Sequence, residues 1–318
     1  FGSRRGRRGR EQAHFAQPCF SRRETERAMA FPSATPLRRS RGRQVLAALL
    51  LATFAPGALA GEIYWTEMRY GKLKKADQSG SGIQDIMSSH TMTNLHGIAI
   101  DELNGKIYVS EMQPPNIHRS NLDGTGIETL LDGVASGLTA PAGMALDKIH
   151  GKMYWTDLSG SIQRANFDGT GKEVVVQSLR RPTGLAVDAA GGKIYWADEF
   201  AHVIQRSNLD GSNVEILAKA NLLEPSAVTI DTVGSKIYWV DSDGDNIWRA
   251  NLDGSSPEIV VGPSAARLPI GITVDATGGK MYWIEKRGMK IARANLDGTA
   301  VEDVVTGIRP HGLALVGF

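Results

Sequence analysis

Cysteine is all but missing: Cys19 is the single example in 318 residues. Beyond it the chain can form no disulfide framework, offers no thiol nucleophile and holds no thiolate-bound metal. Long apolar runs are equally scarce. The run from Val45 to Ala55 is too short to cross a bilayer comfortably, and no second one follows it. Also absent are a Ser–His–Asp arrangement, a spaced metal motif and a phosphate-binding glycine loop, so no familiar catalytic constellation stands out.

The net charge of +2 conceals an asymmetry. Residues 1–60 hold 12 of the 36 Lys and Arg but only 3 of the 34 Asp and Glu, which leaves 24 bases against 31 acids in the rest. Residues 1–28, with RRGRRGR near the start, read as a basic upstream segment; a nucleic-acid arm is the alternative reading of that composition. From Met29 the pattern is that of a secretory signal over 29–60. It has a positive region holding Arg38, Arg39, Arg41 and Arg43, the apolar run, a Pro56–Gly57 break, and small residues Ala58 and Ala60 ahead of a cut before Gly61. The expectation is an exported body, secreted or periplasmic, monomeric, with no membrane insertion and no nucleic-acid partner.

That body, residues 61–318, is one unit written six times. A tyrosine motif begins at Tyr64, Tyr108, Tyr154, Tyr195, Tyr238 and Tyr282, at intervals of 44, 46, 41, 43 and 44 residues. Beyond each tyrosine comes a basic residue and then a turn: Arg119, Arg164, Arg206, Arg249 and Arg293 stand before NLDG or NFDG, while the first copy reads Lys75 and DQSG. Ahead of each later tyrosine runs a small-residue strand ending in an acid, as in GIAID at 97–101 and GLAVD at 184–188. The small residues suit crowding of inner strands around an axis. A period in the low forties with four short apolar runs per repeat is the signature of a propeller blade.

The first copy lacks its leading strand, and GLALV at 312–316 has no tyrosine motif behind it. The predicted fold is therefore all-β, a six-bladed propeller of four-stranded blades. Residues 310–316 lie beside 62–67 and complete the N-terminal blade.

YWTD at 154–157, NFDG at 166–169 and GLAVD at 184–188 together resemble the YWTD repeat, the class B repeat of the low-density-lipoprotein receptor family. The resemblance covers 61–318 almost entirely, and five of six copies keep the Tyr–Trp pair. It implies a six-bladed propeller of the stand-alone exported kind, for which binding is the usual inferred role, and it gives the motif acids a structural role. We expect Trp65, Trp155, Trp196, Trp239, Trp283, Asp157, Asp198 and Asp241 to be scaffold, the acids bonding the neighbouring blade's backbone and the repeated arginines pairing blade to blade.

Function then falls where the copies differ. If the tyrosine strands run toward the face that receives the links between blades, two loop sets meet there, and the resemblance makes this the face that binds protein ligands. Arg69, Tyr70, His96, Phe200, His202, Asp243, Lys286, Arg287 and His311 are the candidate contact residues. His96 and His311 stand at equivalent positions across the ring closure, where a pair could face one another at the channel mouth or remain two unrelated loop histidines. Asp241, Asp243 and Asp245 alternate as calcium ligands do, but the sixth-place glycine and the late Glu of such a loop are missing, Leu252 standing at the twelfth position. We expect no catalytic residue, metal or cofactor. The main reading is a module that binds a protein or an extracellular polymer. The alternative is a propeller hydrolase or lactonase with a cation at the channel mouth, for which the inner-strand entries His96, Ala142, Thr183, Ser226, Ile270 and His311 are a poor ligand set.

Overall fold

Each repeat folds because its turns leave the chain no other course. In NLDG the aspartate accepts the backbone N–H and hydroxyl of the residue two places on, as Asp168 does from Thr170 at 2.9 and 2.7 Å. The glycine then takes a positive φ, 83° at Gly169. The lysine that opens each of the last five tyrosine strands fastens the same turn from across the hairpin, Lys152 Nζ to Asn166 Oδ1 at 2.6 Å. Proline opens four of the inner strands, at Pro141, Pro182, Pro225 and Pro269, where no ladder donor is needed.

The structure, a computed structural model, describes residues 61–68, 70–88 and 92–317. The expected upstream segment and signal sequence, Cys19 and Arg69 lie outside them. The described strands form six antiparallel sheets of four. In sheets two to six the strands follow chain order outward from inner strands Leu95–Asp101, Pro141–Asp147, Pro182–Asp188, Pro225–Asp231 and Pro269–Asp275. The first sheet takes its inner strand from the other end of the chain, where Leu313–Val316 pairs with Glu62–Glu67 in the register Ile63 to Leu315 and Trp65 to Leu313. Two further bonds seal the join, His311 N–H to the Thr66 carbonyl at 2.8 Å and Thr66 N–H to the Gly312 carbonyl at 3.0 Å. The fold is the all-β, six-bladed propeller that the repeat predicts, with one short helical turn at Gly133–Ser136 and another at Glu199–Ala201.

The core lies between the blades. Tyr154 and Trp196 share one buried cluster, as do Tyr195 and Trp239, Tyr238 and Trp283, Tyr108 and Trp155, and Tyr282 and Trp65, so each tyrosine meets the next blade's tryptophan. The sixth junction has Tyr64 against Val109. Opposite that smaller residue stands His118, which is buried and bonded to Glu111 at 3.0 Å and Thr129 at 3.1 Å.

Polar ties cross the same junctions. Arg119, Arg164, Arg206, Arg249 and Arg293 each donate Nη1 to a carbonyl of the following blade, those of Phe167, Leu209, Leu252, Leu296 and Gln78. Their other end is held by Glu128, Glu173, Glu215, Glu258 and Glu302 on the outer strand of their own blade. These glutamates recur four residues after the turn glycine, a signal that the sequence carried. Lys75 bonds Glu62 in its own blade instead, at 2.7 Å, so the junction between blades one and two lacks an arginine.

A hydroxyl serves there. Thr66 Oγ1 accepts the Gly312 N–H and donates to the His96 carbonyl, at 2.8 and 2.9 Å, joining two inner strands through one atom. Ser110 and Thr156 repeat the device at the next two junctions. The glycines in these strands make the approach possible: a Cβ on Gly97 would sit 2.2 Å from the Ala142 carbonyl oxygen. Strand-to-strand crowding thus accounts for them. These glycines also line the axial channel, together with the larger Ile98, Met144, Leu185, Val228, Ile272 and Leu313. Replacing Thr66 with Val keeps the shape and removes the bridge, leaving a buried donor and acceptor unpaired. The expected cost is about 1–3 kcal/mol in urea denaturation; a change under ~0.5 kcal/mol would mean that water or a shift replaces the bond.

Candidate functional site

The motif acids fix the loops that meet above the channel. We expected them to bond the neighbouring blade's backbone; they bond the link leading into their own blade's inner strand. Asp157 accepts the N–H groups of Thr139 and Ala140, Asp198 those of Arg180 and Arg181, and Asp241 those of Leu223 and Glu224. The tyrosine strand ends beside that entry, whose backbone donors would otherwise be buried unpaired. Arg181 and Glu224 are thereby positioned at the backbone.

The two loop sets do converge. A cavity of about 230 Å³ is lined by His96, Arg181, Thr183, Glu224, Ser226, Ile270 and His311 from the inner-strand entries and by Leu158, Glu199, Ser242 and Lys286 from the tyrosine-strand loops. The His96 and His311 rings lie 3.9 Å apart between centroids, tilted by 57°. Enclosure disfavours the imidazolium form in both. It holds His96 well below the usual range, with added repulsion from His311, Arg181 and Lys286. It brings His311 down to about 4, with Lys286 adding to the effect. The pair is therefore neutral at physiological pH, and Nδ1 of His311 is buried with no partner among the described residues.

Across the cavity is an acid cluster. Arg181 pairs with Glu199 at 3.2 Å and lies 4.8 Å above the Phe200 ring. Burial raises the Glu199 carboxyl, Arg181 opposing this and the charges of Asp198 and Asp243 adding to it. Glu224 is raised by burial, then by Glu199 and Asp243, with which it shares a hydrogen bond. Among the described residues no group of three or more His, Cys, Asp or Glu is arranged to hold a metal ion. Asp241 is committed to the backbone, and Asp245 accepts Leu268 N–H at 2.6 Å and faces Arg287 at 3.7 Å.

Of the residues expected at a contact face, His96, His311 and Lys286 line this mouth and Asp243 adjoins it. Phe200 stands at its rim under Arg181, and His202 bonds the Leu223 carbonyl at 2.5 Å. Arg287 belongs to a second hollow toward the first blade, and Tyr70 is exposed on that blade's own loop. Arg181, Glu199 and Glu224 lie in the variable loops that the sequence assigns to this face but are not among the contact residues expected there, since a loop sequence does not say which of its side chains turns to the mouth.

Residues 151–189 and 192–232 match the family model for low-density lipoprotein receptor repeat class B. Among solved structures, one titled as the crystal structure of a nidogen/laminin complex contains a chain superimposable with a TM-score of 0.73 at 23% identity, over 80% of this chain and 98% of that one. At that identity the second match speaks to the fold. No helix among the described residues is long and apolar enough to cross a membrane. The chain is thus a six-bladed propeller in which the stretches 151–189 and 192–232, from the third blade to the inner strand of the fifth, match the low-density lipoprotein receptor class B, or YWTD, repeat.

Proposed function

We propose that the chain is an exported protein-interaction module whose partner docks on the face around the channel mouth. One observation carries the reading. The polar residues common to the copies are engaged in turns, links and blade junctions, while His96, Arg181, Glu199, Glu224, Lys286 and His311, which are not common to the copies, meet at a single mouth. Phe200 is 53% exposed there beside a fixed Arg181, and Tyr70 and Leu223, on other loops, are 57% and 56% exposed. Exposed aromatics with a positioned arginine are the residue types on which interfaces concentrate their affinity. The class B repeats support the reading, as does the occurrence of a similar propeller in a two-protein complex. Export rests on the signal-like pattern over residues 29–60.

The test is capture from the organism's own extracellular fraction on the full chain, beside two variants. Changing Tyr70, Arg181 and Phe200 together to Ala is expected to weaken capture at least tenfold, since one such anchor is worth about 2 kcal/mol or more. Changing Leu103 and Val233, exposed in turns at the opposite ends of the strands, is expected to leave capture unchanged. The reverse pattern would place the partner on the other face and overturn the assignment.

A further inference from the structure

Beside the channel mouth, between the sixth and first blades, lies a hollow of about 390 Å³ lined by Met68, Ile270, Lys286, Arg287, Met289, Arg309, Pro310 and His311. This is within the range of about 300–1,000 Å³ usual for small-ligand sites. Among the described residues, four of its walls are apolar, three are cationic and no carboxylate lines it. Arg287 is partly balanced by Asp245 at 3.7 Å. The Lys286 and Arg309 side chains have no ionic or hydrogen-bonding partner among the described residues. Uncompensated cations are out of character here, because the residues after position 60 carry more acids than bases, 31 to 24.

The walls are held in place. Met289 stands at φ 49°, a left-handed conformation costly for a side chain of that size. The equivalent turn position is Gly71 in the first blade, Gly160 in the third and Asp245 in the fifth. The Met289 carbonyl accepts the Ile308 N–H at 3.0 Å, and the Lys286 N–H donates to the Leu268 carbonyl at 3.1 Å. The methionine nonetheless leaves 44% of its surface open.

We infer that this hollow binds an amphiphilic anion: a carboxylate, sulfonate or phosphate met by Lys286 and Arg309, with an aliphatic tail laid against Met68, Ile270, Met289 and Pro310. The charge supplies the attraction, and the flexible thioethers accommodate a chain of loose shape. The hollow adjoins the channel mouth and shares Ile270, Lys286 and His311 with it, but its test uses a small ligand, so its failure and that of the protein-binding reading are distinguishable. Such an anion could arrive free or as part of a membrane lipid; the chemistry of the site is the same.

Calorimetric titration of the full chain with monomeric decanoate is expected to show one saturable site with Kd below ~1 mM. Decanol, which lacks the charge, and inorganic sulfate, which lacks the tail, should each bind at least tenfold more weakly. The Lys286→Ala/Arg309→Ala double variant should lose at least tenfold, and so should Met289→Asp, whose new side chain tolerates the left-handed backbone but repels the anion. Vesicles of phosphatidic acid in phosphatidylcholine separate the sources. Sedimentation with them that is lost in the double variant assigns the hollow to lipid, and decanoate binding without it assigns a free amphiphile. The inference fails if neither probe binds, or if both bind the double variant, at an unchanged melting temperature, as well as the parent.

Discussion

Deleting residues 309–318 is expected to cost about 5 kcal/mol or more, a large part of the 5–15 kcal/mol that holds a typical domain folded. The deletion removes the inner strand of the first blade and so exposes the ladder edge of Glu62–Glu67. It also strips Thr66 of its partners at Gly312 and His311. Tyr64, Trp65 and Ile63 are completely buried in the ring, and Ala314, Val316, Leu313 and Leu315 pack against the two clusters they belong to. The measurement is urea and thermal denaturation of the deleted chain, with and without a synthetic peptide of residues 309–317. Recovery of stability with the peptide would show that pairing is what was lost. A melting temperature unmoved by the deletion would refute the closure.

The second large effect is expected at Trp196. Its side chain is fully buried against Tyr154, Ile162 and Leu185 in the junction of the third and fourth blades, with Nε1 donating to Gln205 at 3.1 Å. Truncation to Ala leaves a cavity that two rigid sheets cannot close and an amide oxygen without its donor, for a cost of about 3–5 kcal/mol. The second blade shows what adjustment requires, since Val109 in the tryptophan position is accompanied by the buried His118 across the hairpin. Gln205 offers no such filling. Denaturant titration of Trp196→Ala giving a loss under ~1 kcal/mol would show that the neighbouring blades collapse onto the space.

The ring was legible because its information is periodic. A tyrosine motif spaced at about one blade length, with an unpaired leading strand at the far end, defines both the blade count and the closure. Ties between copies were harder to read. The arginines were recognisable as junction residues, but their acceptors are backbone carbonyls of the following blade, which carry no residue identity. The bridging hydroxyls of Thr66, Ser110 and Thr156 stand in the motif's third place, where Ala197, Val240 and Ile284 stand in other copies, so no constant letter marked them. At the channel mouth, His96 and His311 were recognisable as equivalent positions across the closure, but whether they face one another was open until the rings were placed 3.9 Å apart. Arg181, Glu199 and Glu224 come from different turns, and a turn sequence does not say which way its side chains face. Their juxtaposition arises only when the motif acids fix the linker backbone.

The strand that completes the first blade is made after the five other blades. As the chain leaves the ribosome, the three strands around Tyr64 emerge first and wait with an open edge while the rest is translated. At about 5–20 residues per second the interval is on the order of ten to fifty seconds. Throughout it the exposed ladder of Glu62–Glu67 can accept any extended segment, including residues 313–316 of an older neighbour on the same message. Crowded polysomes would thus favour strand-exchanged dimers, which share every contact of the monomer and differ only in whose chain supplies the last strand.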